Sequence, residues 1–165
     1  MNQDTISPRD AQWREELRKA HTPKQRREIP RVKMAELSPS YRVSCNEEVN
    51  QGLSAEQAVL EATRCLDCPN PTCVEGCPVG INIPGFVKNI ERGDFPAAAA
   101  TLRETSALPA VCGRVCPQER QCESKCIYNK MNLPAVAIGY LERFAADTAN
   151  EAASRGEAPL PPRAA

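Results

Sequence analysis

Large aromatic side chains are scarce in this 165-residue chain: three Phe, three Tyr and one Trp leave little bulk for a core of that length, so something else must help to hold it together. Histidine is rarer still. His21 is the single one, it lies in a polar stretch where exposure is expected, and no evident acid–base constellation forms around it. Net charge is zero, with 21 basic against 21 acidic residues, which gives no electrostatic footprint for nucleic acid or for an anionic membrane. The eight glycines include no G-x-G pair, so a dinucleotide site of the Rossmann kind is excluded. Apolar runs reach about six residues, as from Leu133 to Ile138, far short of the ~20 needed to cross a bilayer. The first twenty residues are polar and charged with no apolar core of an export signal, and the expected compartment is the cytoplasm. Alternating β-branched runs are almost missing as well, so the expected fold class is all-α with cysteine-rich loops.

What the chain does have is cysteine. Nine in 165 is about 5%, below the roughly 8–10% of a small disulfide scaffold, and the odd count argues against a fully paired framework. In a reducing compartment, clustered cysteines more often bind metal than form bridges.

Composition divides the chain into three. Residues 1–45 read as a polar arm, basic in the middle (Lys24, Arg26, Arg27, Arg31, Lys33), with one short helix from Pro8 to Ala20 behind Ser7 as its cap. The basic run reads as a solvated surface, with docking against a partner domain as the sharper alternative. Residues 46–148 form the ordered body with eight of the nine cysteines. There Ser54 and Gln57 make a capping box ahead of Ala55, Ala58, Val59 and Ala62, in a helix that delivers Cys65 at its end. Pro84 opens a helix with Phe86, Val87 and Ile90 that Gly93 stops, and Asp94 caps another from Phe95 to Glu104. A last helix spans Ala135 to Asn150, with Ile138, Leu141, Phe144 and Ala145 on its inward face. Residues 149–165 are Pro-rich and read as a linker toward a further domain.

The cysteines fall in two groups. Cys65-x2-Cys68-x4-Cys73-x3-Cys77-Pro78 departs from the bacterial ferredoxin run C-x2-C-x2-C-x3-C-P by two extra residues, and keeps its final spacer and Cys-Pro. Pro69, Pro71 and Pro78 oppose a helix through this loop, leaving an irregular backbone that can wrap sulfurs around one object. In two-cluster ferredoxins the fourth cysteine serves the other cluster, which would send Cys77 to a second site. Cys112-x3-Cys116-Pro117-x4-Cys122-x3-Cys126 supplies the second group with its own Cys-Pro. Spacing alone thus offers eight thiolates for two [4Fe–4S] clusters with exchanged ligands, Cys112 included and Cys45 left over. Two four-cysteine zinc sites in a zinc-stabilised interaction module would use the same sulfurs, although zinc knuckles favour paired C-x2-C and only Cys65/Cys68 makes one. A redox-sensing thiol at Cys112 or Cys45 is a third possibility.

Four motifs in order, from Arg64 to Cys73, Gly76 to Pro84, Leu108 to Gln118 and Ala137 to Phe144, resemble one known module. It is the N-terminal iron–sulfur domain of the NADPH-dependent glutamate synthase small (beta) subunit family, shared with NADH-dependent ferredoxin:NADP oxidoreductase and dihydropyrimidine dehydrogenase. The resemblance implies an α-helical ferredoxin-like domain with two [4Fe–4S] clusters. One would be held by Cys65, Cys68, Cys73 and Cys126, the other by Cys77, Cys116, Cys122 and Glu142, with Cys112 as the alternative to Glu142. It also implies FAD and NADPH in a domain or subunit outside this chain, and a role in passing electrons to or from that flavin. Glutamate synthesis would be the overall activity, with the glutamate synthase large subunit or a ferredoxin as further partner. Arg64, Arg114 and Lys125 lie near the motifs and are candidates for tuning cluster potentials.

Overall fold

Residues 8–157 are described by the structure, a computed structural model; Ser7, expected as a helix cap, and the Pro-rich stretch from Ala158 lie outside the described residues. Among the described residues the regular structure is helical, and β pairing is limited to one isolated bridge between Glu36 and Asn50.

The centre of the fold is α6 (Ile83–Glu91), every residue of which is buried. Its start is set by Asn82, whose side chain accepts from the Gly85 N–H, and by Pro84 in the first turn, where a missing N–H costs nothing. Arg92 caps the end and Gly93 follows at φ +80°. Phe86, Val87 and Ile90 are wholly excluded from water, each such side chain contributing about 1.5–3 kcal/mol of burial. Around α6 lie α4 (Ala55–Thr63), α7 (Phe95–Arg103) and α9 (Ile138–Ser154). The Ser54/Gln57 capping box and the Asp94 cap are both present. On α9, Leu141, Phe144 and Ala145 face inward, and the Phe144 ring meets Phe95 edge-on at 4.9 Å. That helix starts three residues later than the pattern indicated and runs on to Ser154.

The amino-terminal stretch departs from the solvated reading in part. Its first helix, α1 (Gln12–Ala20), is shorter than expected, begins after Ala11 without a side-chain cap, and is followed by α2 (Pro23–Glu28), which Thr22 and Gln25 box in. Arg14 and Arg26 are each only 2% exposed. Arg26 donates to Thr63 O (2.5 Å), Glu91 Oε1 (2.8 Å) and Leu17 O, tying α2 to α1, α4 and α6. Opposite charges set tens of residues away, invisible to local composition, draw Arg26 out of this basic run into the interior, while Lys24, Arg27 and Lys33 stay exposed as expected. His21 is exposed, as expected. Short helices α3 (Pro39–Arg42), α5 (Thr72–Glu75) and α8 (Pro109–Val115), with three 3₁₀ segments from Gln118 to Met131, complete the described chain.

Candidate metal centre

Helix ends and short turns place Cys65, Cys68, Cys73 and Cys126. Cys65 leaves the end of α4, its N–H donating to Ala62 O. Asp67 then takes φ +52°, a left-handed conformation that Asp tolerates better than most residues, and this turns the chain so that Cys68 comes back beside Cys65. Cys73 sits inside α5, which corrects the expectation of an unbroken irregular loop. Pro71 stands at the N-cap of that single turn, where proline is compatible with a helix rather than opposed to it. Cys126 joins two 3₁₀ segments. All four line one pocket walled by Ile83, Val87, Val136 and Ile138. Burial drives the Cys73 thiol far up, and Cys65, Cys126 and Cys68 push the same way, so the four sulfurs share one space. Burial likewise pushes Cys65 up to about 11, opposed by the charge of Lys88.

A second group forms beside α9. Burial raises Cys116 to about 11, reinforced by Cys112, Glu142 and Cys77; burial raises Cys122 to about 12, reinforced by Glu123 and then by Cys77 and Glu142. Glu142 is 5% exposed, its Oε1 has no hydrogen-bond partner, and burial alone pushes its carboxyl up to about 7. A carboxylate so placed is costly unless a cation meets it. Cys112 is also near, at hydrogen-bond range of Cys116, with its sulfur 4.0 Å from Ser106 Oγ. Cys45 is half-buried and stands outside the pocket that Cys65, Cys68, Cys73 and Cys126 line.

Two glycines make the close approaches. A Cβ on Gly113 of α8 would lie 2.6 Å from Arg143 N and 2.8 Å from its Cα, so only glycine lets α8 press onto the backbone of α9 beside Glu142. A Cβ on Gly76 would lie 2.7 Å from Gln121 O, so the loop with Cys73 and Cys77 lies directly on the segment that leads into Cys122.

The charged residues expected near the motifs divide. Arg64 is 1% exposed, pairs with Glu61 (2.6 Å), and donates to Pro134 O and Ala135 O, while its own carbonyl accepts from Tyr128 OH at 2.6 Å. Arg114 instead bridges Glu48 and Asp147 toward solvent, and Lys125 is exposed. Sequence reasoning missed Lys88, fully buried on α6, whose Nζ donates to Cys65 O at 2.7 Å and pairs with Glu91. It also missed Asp67, 0% exposed, which pairs with Arg14 and with Arg18 (2.6 Å). The neighbours of Lys88, namely Phe86, Val87 and Ile90, are apolar, but nothing in that local pattern separates a buried lysine from an exposed one.

The donors present, thiolates in numbers with one orphaned carboxylate, fit iron–sulfur clusters. Among the described residues no three His, Cys, Asp or Glu side chains are drawn in as tightly as around a single bound ion. No described helix is long and apolar enough to cross a membrane.

Comparison with known proteins agrees with the donor chemistry. The chain is 44% identical over 104 residues to the glutamate synthase [NADPH] small chain of Escherichia coli, covering 63% of this chain and 22% of that protein. It is 41% identical over 102 residues to the protein of the same name from Halomonas elongata (62% and 21%), and 39% identical over 101 residues to the NAD-dependent dihydropyrimidine dehydrogenase subunit PreT of Escherichia coli (61% and 24%). The chain therefore spans about a fifth to a quarter of the length of these relatives. The family described as dihydropyrimidine dehydrogenase domain II, 4Fe-4S cluster, matches residues 42–154, which leaves the zinc reading without support, and it is to this family of iron–sulfur domains that the chain belongs.

Proposed function

We propose that the chain is an electron-transfer module with an α-helical ferredoxin-like fold and two [4Fe–4S] clusters. Cys65, Cys68, Cys73 and Cys126 hold one; Cys77, Cys116, Cys122 and Glu142 hold the other. The observation that carries this is Glu142: a buried carboxylate with an unpartnered oxygen, near the thiols of Cys116 and Cys122. Cys112 stays unliganded in this reading, beside Ser106.

Bound clusters supply one-electron chemistry; the protein's own part is to hold and insulate them. Ile83, Val87, Val136 and Ile138 keep water from the first donor set, which strengthens every charge effect there. Tyr128, donating to Arg64 O, and Arg64, donating to Pro134 O and Ala135 O, brace the exit of α4 against the segment before α9, fixing Cys65 relative to the wall of the pocket.

The names of the relatives support a role within an NADPH-dependent oxidoreductase of the glutamate synthase small-subunit type; a flavin in the partner and a cytoplasmic location belong to the same proposal. The body, residues 46–148, carries the clusters; residues 1–45 form its basic arm, and residues 149–165 link it to the FAD/NADPH-binding part, which acts in turn with a glutamate synthase large subunit or a ferredoxin. Iron, acid-labile sulfide and zinc are to be measured on anaerobically purified protein, with visible spectra before and after dithionite. About eight irons and eight sulfides, with a brown absorbance that bleaches on reduction, are expected. About two zincs and no colour would overturn the proposal.

A further inference from the structure

The charges behind the two donor sets are unequal. Around the stretch from Glu61 to Cys68 stand five cations, Arg14, Arg18, Arg26, Arg64 and Lys88, against three carboxylates, Glu61, Asp67 and Glu91. Lys88 reaches furthest in. It is 0% exposed, its Nζ donates to the carbonyl of Cys65, and it shares the single carboxylate of Glu91 with Arg26, so that its charge is only part-neutralised. Around the second set, the groups acting on Cys116 and Cys122 are thiols and the carboxylates of Glu142 and Glu123. Arg31 meets Glu123, while the neighbouring Arg143 turns to Glu48, Asp147 and the carbonyl of Asn50. Reduction of a cluster adds one electron without a proton and makes it more anionic, so buried positive charge favours the reduced form and buried negative charge opposes it.

We propose that the two donor sets form an electrostatic gradient in which Lys88 raises the potential of the set at Cys65, Cys68, Cys73 and Cys126, making it the station where an electron comes to rest. Lys88 is a positioning residue of charge: it ligates nothing and acts through Cys65. The inference rests on the two-cluster reading above and adds a direction to it.

The test is a dithionite titration of anaerobic holoprotein, followed by electron paramagnetic resonance, for the unaltered chain and for Lys88→Met, Lys88→Arg and Glu91→Gln. The signal belonging to the second set is assigned as the one that Glu142→Ala alters. Lys88→Met is expected to lower the potential of the other signal alone, by about tenfold in the reduced-to-oxidised ratio, or about 59 mV for one electron. Lys88→Arg keeps the charge and restores the potential, and Glu91→Gln, which strips the carboxylate from the pair, raises it. A fully loaded Lys88→Met protein whose two signals titrate as in the unaltered chain, or shift together, overturns the proposal. Should Lys88→Met fail to load, Glu91→Gln decides: an upward shift confined to the first signal sustains the gradient, and none, or a downward one, refutes it. An unaltered chain without two clusters would instead refute the underlying reading, a result separable by its iron content.

Discussion

Gly113→Ala probes the contact on which the second donor set depends. An added Cβ would sit 2.6 Å from Arg143 N and 2.8 Å from both Arg143 Cα and Cβ, whereas ordinary contact begins at 3.4 Å. The obstructing atoms are mostly backbone of a long buried helix and cannot swing aside, so α8 and α9 must part by about 0.8 Å. Overpacking of this kind costs about 1–3 kcal/mol, and alanine returns about 1 kcal/mol of helix propensity. The net loss of stability is therefore about 1 kcal/mol, a fall of roughly 2–4 °C in Tm for a chain of this size. The effect on the site is larger, since Cys116 follows α8 and Glu142 lies on α9, while metal–ligand distances tolerate only about ±0.2 Å. Anaerobic release of iron to a chelator is expected to become biphasic. Half of the iron should leave faster than in the unaltered protein, and the half held at Cys65, Cys68, Cys73 and Cys126 should keep its rate. Unchanged release in both halves with an unchanged Tm would refute the reasoning, because it would mean that the helix contact does not set the geometry of the second donor set.

Glu142→Ala is expected to lose about half of the iron and alter one spectral signal, whereas Cys112→Ser keeps all of it; the reverse pattern, read by iron analysis, would hand the eighth position to Cys112. Asp67→Asn leaves Arg14 buried with its ion pair broken, so chemical denaturation of the holoprotein should show a loss of about 3–5 kcal/mol. Ser54→Ala removes the hydroxyl that accepts from Gln57 N and should cost about 1 kcal/mol in the same assay, with the iron content unchanged.

Where one residue decides a local structure, the sequence was a good guide. Ser54, Asp94 and Pro84 marked helix starts because a cap or a proline acts over three or four residues, and the structure has helices behind all three. The same rules failed where a residue had two uses. Pro71 looked like a loop former but opens α5, because proline suits the start of a helix as well as a bend. The basic run was opaque for a different reason: whether Arg26 is solvated depends on Glu91, 65 residues away. The cysteines of both groups were legible because a thiol has few other reasons to cluster. Glu142 was legible only by resemblance, since nothing in its local pattern separates a buried carboxylate from an exposed one, and Lys88 was hidden in the same way.

The clasp of the amino-terminal helices onto the cysteine loop also constrains when the protein can fold during synthesis. Arg14 and Arg26 leave the ribosome before their partners Asp67 and Glu91, which are 53 and 65 residues behind them. At roughly 5–20 residues per second, that is a wait of about 3–13 s. Nine-residue α1 is too short to persist alone in water during that interval. A segment made ahead of its partners is thus among the last to settle, and the nascent chain keeps the loop between Cys65 and Cys68 open to its surroundings until α6 has been made.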